Sequence, residues 1–302
     1  MAPPPPAASA RVTVVIPTLN RPQTCAAALH SALEQVDVEC EVVLSDNASD
    51  TLHAQAYDAL FASLPPRVRV IRRNQRLNLE DHFPFLLTQV STPWVVLLAD
   101  DDTLSPSFVA RALALADQSG AGLVFGPYAS VEIATGTSRI RSFDYSHPAR
   151  IVRAWRFVCR RDDAFIYGLM RTDVLRLALA EFRPLRILGQ RTLTRIAYAP
   201  LLAGLLAAPY AHLAGEPVWV RSEDSVKNES YLGDNNVRKL VMLLLGEPVL
   251  AARFVRVAWR LGGAGLALAL LPVAGVMALV HCGGFVLQGA VRLVHIARRR
   301  LA

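Results

Sequence analysis

Three adjacent carboxylates, Asp100, Asp101 and Asp102, follow the apolar run Val95 to Leu98. At about 5 Å separation and an effective dielectric near 20, each such pair repels by about 3 kcal/mol, so the triplet calls for a counter-charge. A hard divalent cation, Mn²⁺ or Mg²⁺, supplies one, because it takes one or two protein carboxylates and completes its octahedron with phosphate oxygens and water. In an extended chain Asp100 and Asp102 point one way and Asp101 the other, so one carboxylate is free for metal and another for a ribose hydroxyl. The alternative is a solvated acidic turn ahead of a helix opening at Ser105 and Pro106.

The residues that follow other apolar runs are polar as well. Thr18, Asn20 and Arg21 come after Val12 to Ile16 and Pro17; Ser45, Asp46, Asn47, Ser49 and Asp50 come after Val42 to Leu44; Arg72, Arg73 and Asn74 come after Val68 to Ile71. These runs are short, rich in β-branched residues and uninterrupted, as in strands buried on both faces. Helical spacing separates them: a helix from Pro22 to about Val36, one from about Thr51 to Ser63, and one from about Asp81 to Gln89. Four strands joined by three helices imply a mostly parallel sheet, in which ligands bind outside the carboxyl ends of the strands. The polar residues then share one rim. None of the 17 glycines precedes Gly120, so neither a GxGxxG turn nor a GxxxxGK[ST] loop is available to cradle phosphate there.

Further on, a helix through about Gln118 and a strand at Gly122 to Phe125 continue the alternation, and Thr135 and Gly136 separate Ala129 to Ile133 from Ser138 to Phe143 as a hairpin. From Pro148 to about Leu206 the pattern reads as helical with a break near Phe165 to Leu169, ending in a strand at Pro217 to Val220. A charge-free stretch, Leu261 to Val291, lies between Arg253, Arg256 and Arg260 on one side and Arg292 and Arg298 to Arg300 on the other. As one helix it reaches about 46 Å against a hydrocarbon thickness of about 30 Å. Gly262, Gly263, Pro272, Gly283 and Gly284 offer places to fold it back, and basic residues at both ends favour a re-entrant or interfacial hairpin over 261–296, with both ends on the cytoplasmic side. A pair of buried core helices is the alternative.

The 302 residues, 53% hydrophobic and 19% charged, exclude a disordered chain. The net charge of +7 favours an anionic partner. A nucleic acid is not that partner, since the basic residues are not interleaved with aromatics on a recognisable module. Cys25, Cys40, Cys159 and Cys282 form no CxxC pair, which speaks for a reducing compartment. Residues 1–10 read as a Pro- and Ala-rich leader rather than a secretion signal.

Val12 to Arg21 (VTVVIPTLNR), Val42 to Asp50 (VVLSDNASD) and Trp94 to Pro106 (WVVLLADDDTLSP) together resemble the inverting family 2 glycosyltransferases, and Phe165 to Arg171 (FIYGLMR) resembles their abequosyltransferase-like bacterial members. The resemblance implies an α/β fold of GT-A type, with a Rossmann-like, mostly parallel sheet flanked by helices and an α-helical, membrane-associated C-terminal region. It divides the chain into a glycosyltransferase domain over 11–233, nucleotide-binding over 11–126 and acceptor-binding over 127–233, and a helical apolar region over 234–302. Pro17, Thr18, Asn20 and Arg21 would line the nucleotide pocket, Asp46 with Asn47 would meet the base, and Asp101 the ribose. Asp102, with Asp100 beside it, would hold Mn²⁺ or Mg²⁺ against the two phosphates of a nucleotide-diphosphate-sugar. A carboxylate would take the proton of the attacking hydroxyl of a lipid-linked saccharide, at the cytoplasmic face of the bacterial inner membrane, in lipopolysaccharide or other surface-polysaccharide assembly.

The family's base aligns with Gly189, Gln190 and Arg191, and Gln190 is no base. Asp163 is the substitute, with Asp162 and Glu223 behind it; Arg221 or Lys227 would meet the diphosphate. Gln190 keeps a second expectation open, a non-catalytic nucleotide-sugar-binding membrane scaffold. A metal-dependent nucleotidyltransferase is a third, which would ordinarily carry the early glycine loop that this chain lacks.

Overall fold

A computed structural model describes residues 10–62, 64–193, 195–223 and 236–301. The expected leader, save Ala10, and Lys227 lie outside the described residues. The apolar runs become strands: β1 (Val12–Thr18), β2 (Cys40–Asp46), β3 (Val68–Arg72) and β4 (Trp94–Leu97). They pair in parallel with β1 at the centre, Val12 standing opposite both Cys40 and Trp94. Between them lie α1 (Pro22–Leu33), which has Pro22 in its first turn, α2 (Ala54–Phe61) and α3 (Leu79–Leu87).

The sheet does not continue as a simple alternation. After α4 (Phe108–Ser119), closed by Gly120 at φ 67°, comes β6 (Leu123–Phe125), yet β6 does not pair with β4. A later strand, β9 (Leu169–Arg171), enters between them antiparallel to both, and β12 (Tyr210–His212) completes the seven-stranded order β12-β6-β9-β4-β1-β2-β3. Gly168 makes the entry possible, because a Cβ there would stand 2.7 Å from the Val124 carbonyl oxygen. The break expected in the helical stretch, near Phe165 to Leu169, reaches only the first residue of this strand, and Met170 and Arg171 were expected as helical; three residues carry too little pattern to read as a strand.

A second sheet joins β5 (Thr103–Leu104), β13 (Trp219–Glu223), β7 (Tyr128–Glu132) and β8 (Ser138–Arg141), with β7 and β8 forming the predicted hairpin. Its effect is to carry residues 221 and 222 back against the acidic triplet. Only part of the expected helical stretch is helical: α5 (Arg150–Arg160), α6 (Thr172–Leu179) and α7 (Tyr198–Ala207) enclose a tight hairpin of β10 (Leu185–Ile187) and β11 (Gln190–Thr192). Its two loop residues, Leu188 at φ 50° and Gly189 at φ 75°, have the positive angles of a two-residue hairpin turn.

The C-terminal α8 (Asn236–Leu301) is one long apolar helix interrupted at Gly263, where φ 70° and ψ −168° fold it back on itself. Cys282 Sγ accordingly lies 3.5 Å from the Leu244 carbonyl oxygen. A hairpin within 261–296 was expected; the turn is at Gly263, one of the five places named for it and close to the start of the charge-free stretch. Pro272, Gly283 and Gly284 leave the helix unbroken, so the apolar stretch forms one arm and the preceding basic segment the other. Leu250, Phe254, Val257, Leu270 and Ala274 are buried, and Trp155 Nε1 donates to the Ala269 carbonyl at 3.1 Å. The opposite side of the second arm is apolar and open to solvent, with Leu268 67% and Leu279 75% exposed.

Glu247, fully buried on the first arm, binds two arginines of the globular part: Arg161, and Arg195 at 2.7 Å. Both arginines have left-handed backbones, φ 52° and 63°. Each lies directly ahead of residues that line the cleft described next.

Candidate active site

A cleft of about 580 Å³ opens at the carboxyl ends of β1 and β4. Thr18, Arg21 and the three aspartates line one side, and Asp163, Tyr167 and Arg221 another. The triplet is not extended. Its backbone turns, with Asp102 N donating to the Ala99 carbonyl at 3.2 Å, so the three acids line the same cleft instead of alternating.

Repulsion within the triplet is met first by the protein. Arg21 Nη1 donates to Asp101 Oδ2 at 2.6 Å and to Asp100 Oδ1 at 3.3 Å. Asp100 Oδ2 accepts from Thr18 Oγ1 at 2.8 Å and from Leu19 N at 3.4 Å. Because Thr18 gives its one proton to Asp100, Tyr57 donates to Thr18 across 2.6 Å and accepts from Arg21 N at 3.1 Å. Burial pushes Asp100 above the usual carboxylate range, against the pull of Thr18 and Arg21. With both of its oxygens engaged in this chain, Asp100 ties β1 to β4.

Asp102 differs. It is 4% exposed, its Oδ1 accepts from Ser222 N at 2.9 Å, and burial pushes it up to about 7, with Asp101 adding to the rise and the Ser222 bond opposing it. A carboxyl held so far up is one whose charged form a divalent cation stabilises. Among the described residues no three His, Cys, Asp or Glu side chains converge as a ligand set, so protein groups alone do not complete an octahedron here.

Opposite the triplet, Arg221 Nη1 donates to Asp163 Oδ1 at 3.0 Å. Asp162 turns inward instead, accepting from Tyr128 Oη at 2.7 Å and from Ala164 N at 2.9 Å, which makes it a structural carboxylate. The Glu223 side chain lies outside the described residues. Gln190 is exposed on β11, away from the cleft, and its neighbour Arg191 pairs with Glu80.

Three expected pocket residues serve the loops that shape the pocket. Asn20, at φ 58°, is clasped to Asp50, donating from Nδ2 to Oδ2 at 2.6 Å and accepting from the Asp50 N–H at 2.8 Å. Asp46 is buried and accepts from Ser49 N at 2.9 Å, within its own loop and not on the cleft lining. Asn47 does line the cleft, but its amide binds the Leu77 N–H at 2.9 Å and carbonyl at 3.0 Å, fixing the segment between β3 and α3. Pro17 lines the cleft.

His82 was not anticipated. It is buried, 3.0 Å from Ser45 Oγ, and burial pushes its pKa down to about 4, with Arg73 adding to the fall, so the ring that lines the cleft is neutral. The signal was present, since Leu79, His82 and Phe83 fall at i, i+3 and i+4 on one face of α3.

The profile of glycosyl transferase family 2 matches residues 13–178. The chain belongs to that family. Over 111 residues it is 34% identical to the succinoglycan biosynthesis protein ExoO of Rhizobium meliloti, an alignment covering 36% of this chain and 31% of that protein. The chain thus matches about a third of the length of that relative. Residues 1–349 of S. aureus TarS superpose with a TM-score of 0.55 at 13% identity, covering 90% of this chain and 89% of that fragment. The complex of the same protein with UDP-GlcNAc gives 0.54 at 13% identity. These likenesses show the α/β fold with its mostly parallel sheet. For a family 2 glycosyl transferase the matched span includes the triplet and Asp163, while Arg221 and Ser222 fall beyond it.

Proposed function

We propose that this family 2 glycosyl transferase is an inverting, metal-dependent enzyme that moves a sugar from a nucleotide-diphosphate-sugar to a lipid-linked saccharide at the cytoplasmic face of a membrane, in polysaccharide assembly. The observation that carries the proposal is one cleft with Asp102 and Arg21 on one side and the Asp163–Arg221 pair on another. Thr18, Arg21 and Asp101 hold the nucleotide's ribose and diphosphate. Asp102, with Asp100 beside it, would hold Mn²⁺ or Mg²⁺, which when bound supplies positive charge to the departing diphosphate. Asp163 takes the proton of the acceptor hydroxyl as that oxygen bonds to the anomeric carbon and the bond from that carbon to the diphosphate oxygen breaks. Arg221 orients Asp163 through the hydrogen bond between them. The named relatives accord with this reading, one in succinoglycan biosynthesis and one in complex with UDP-GlcNAc.

Residues 11–126 act as the donor part, 127–233 as the acceptor part, and 234–302 as the membrane attachment. The exposed Leu268, Leu271 and Leu279 rest on lipid. Titrating nucleotide diphosphates and their sugars into the full chain by calorimetry, with and without Mn²⁺, tests the pocket and names its base. Metal-linked donor binding together with sugar transfer to a membrane-extracted acceptor is the expected result. Binding without transfer would instead favour the scaffold that Gln190 raised. In vesicle flotation, Leu268→Glu combined with Leu279→Glu is expected to move the protein to the soluble fraction; co-flotation of that variant would sink the membrane assignment.

A further inference from the structure

A second groove, of about 930 Å³, lies on the other side of α3 from the cleft. The helix presents Leu79, His82 and Phe83 to the cleft and Glu80, Pro84 and Leu87 to the groove, the two faces that a 3.6-residue period produces. Phe182 lines both spaces and packs on Phe83 with ring centroids 5.1 Å apart. One helix and one aromatic ring therefore separate the groove from the donor site.

The groove floor is apolar, with Leu87, Leu179 and Leu185, and Val249 of the first α8 arm adds to it. Six arginines line it, Arg176, Arg183, Arg186, Arg191, Arg253 and Arg256, against two acids, Glu80 and Asp81. Three of the six, Arg176, Arg183 and Arg186, have no acidic partner among the described residues. Arg176 donates to the Leu87 and Val90 carbonyls, contacts that fix its guanidinium without neutralising it, whereas Arg253 donates to the carbonyls of Glu181 and Arg183 and has its Nε 3.9 Å from the Glu181 carboxylate. Arg191 is paired with Glu80 and Arg256 with Glu181. The Arg186 guanidinium has no hydrogen bond or ion pair among the described residues, and Arg183 donates from Nε to the Ala180 carbonyl alone, at 3.4 Å.

An apolar floor under surplus guanidinium charge complements a molecule with a diphosphate joined to a hydrocarbon chain, because arginine matches phosphate oxygens in bidentate geometry. We infer that this groove binds the lipid diphosphate of the acceptor, with the hydrocarbon running along the wall formed by α8 and the saccharide reaching over α3 into the cleft. This rests on the lipid-linked acceptor proposed above and adds a constraint to it. The glycan has to cross one helix, about 10–12 Å wide, so a short oligosaccharide reaches the reacting centre and a single sugar does not.

The test uses the full chain in detergent and three probes: a short-chain prenyl diphosphate, the matching prenyl alcohol and inorganic pyrophosphate. The prenyl diphosphate is expected to bind at least about tenfold more tightly than either of the others, and the exposed pair Arg183→Ala with Arg186→Ala to weaken it about tenfold or more. Nucleotide-diphosphate binding and the thermal midpoint stay unchanged in that variant. Displacement of the prenyl diphosphate by the nucleotide would put the ligand in the cleft and overturn the inference. Equal affinity for pyrophosphate would make the groove a free-anion site and overturn it too, as would indifference to the double substitution. Failure of any nucleotide-sugar to bind the wild-type chain would sink the proposed reaction while leaving the groove measurement interpretable.

Discussion

The two walls of the cleft are built by different means. The wall proposed to take the donor comes from residues directly after β1 and β4, neighbouring parallel strands that bring Thr18, Arg21 and the triplet together by local winding. The opposite wall is assembled from distant parts of the chain: Asp163 from the turn before β9, Arg221 and Ser222 from β13, and behind them Glu247 of α8. A wall made by local winding carries its chemistry as a motif. The other depends on long-range pairing, so its chemistry has no contiguous phrase.

That contrast is open to being broken. The largest expected effect is on the donor wall: Asp102→Asn should lower transfer by about 10³-fold or more and abolish Mn²⁺-linked donor affinity, as read by initial rates and calorimetry. Retained metal-linked affinity would remove Asp102 from its role. Next comes the docking of α8. Glu247→Ala strands two buried guanidinium groups and should cost about 3 kcal/mol in a denaturant titration, with Glu247→Gln intermediate; an unchanged midpoint would mean that the hairpin is not held through this pair. Asp163→Asn should reduce kcat by about 10²-fold while leaving donor affinity unaltered. If donor affinity fell with it, the two walls would not divide the work as described.

The smallest effect concerns pH. The folded pKa of His82 is depressed to about 4 from 6.5, so the unfolded chain binds more protons between those values and stability falls as pH drops through that window. Between pH 6.5 and 5.5 the loss should be about 1 kcal/mol, and His82→Gln should flatten that part of the profile. A wild-type profile already flat there would mean that the ring is not held neutral.

What the sequence disclosed follows the same division. The runs Val12 to Ile16, Val42 to Leu44, Val68 to Ile71 and Trp94 to Leu98 are long enough and apolar enough to declare strands, and the polar residues after them declared a rim. The finer placement did not follow. Asp46, Asn47 and Asn20 have the right types at the right positions, but short polar side chains at strand ends also close turns, and here they bind Ser49, Leu77 and Asp50. Strands of three residues, β9 to β12, fall below the length at which alternation is readable, and a cross-sheet pairing such as β13 with β7 leaves no trace in spacing. At the hairpin, composition named five possible breaks and the backbone uses one, Gly263. Of the Asp162–Asp163 pair only Asp163 is on the cleft lining, because Asp162 is absorbed by Tyr128 and Ala164.

Glu247 has a consequence beyond holding two helices together. It grips Arg161, two positions ahead of Asp163, and Arg195, next to Ile196 on the cleft lining. Loosening α8 from its seat would therefore slacken the Asp163 side, proposed to accept the proton, while the triplet's side stayed taut. A detergent that pries the hairpin away should yield an enzyme that still grasps its donor at full strength and turns over slowly, with function returning on reconstitution.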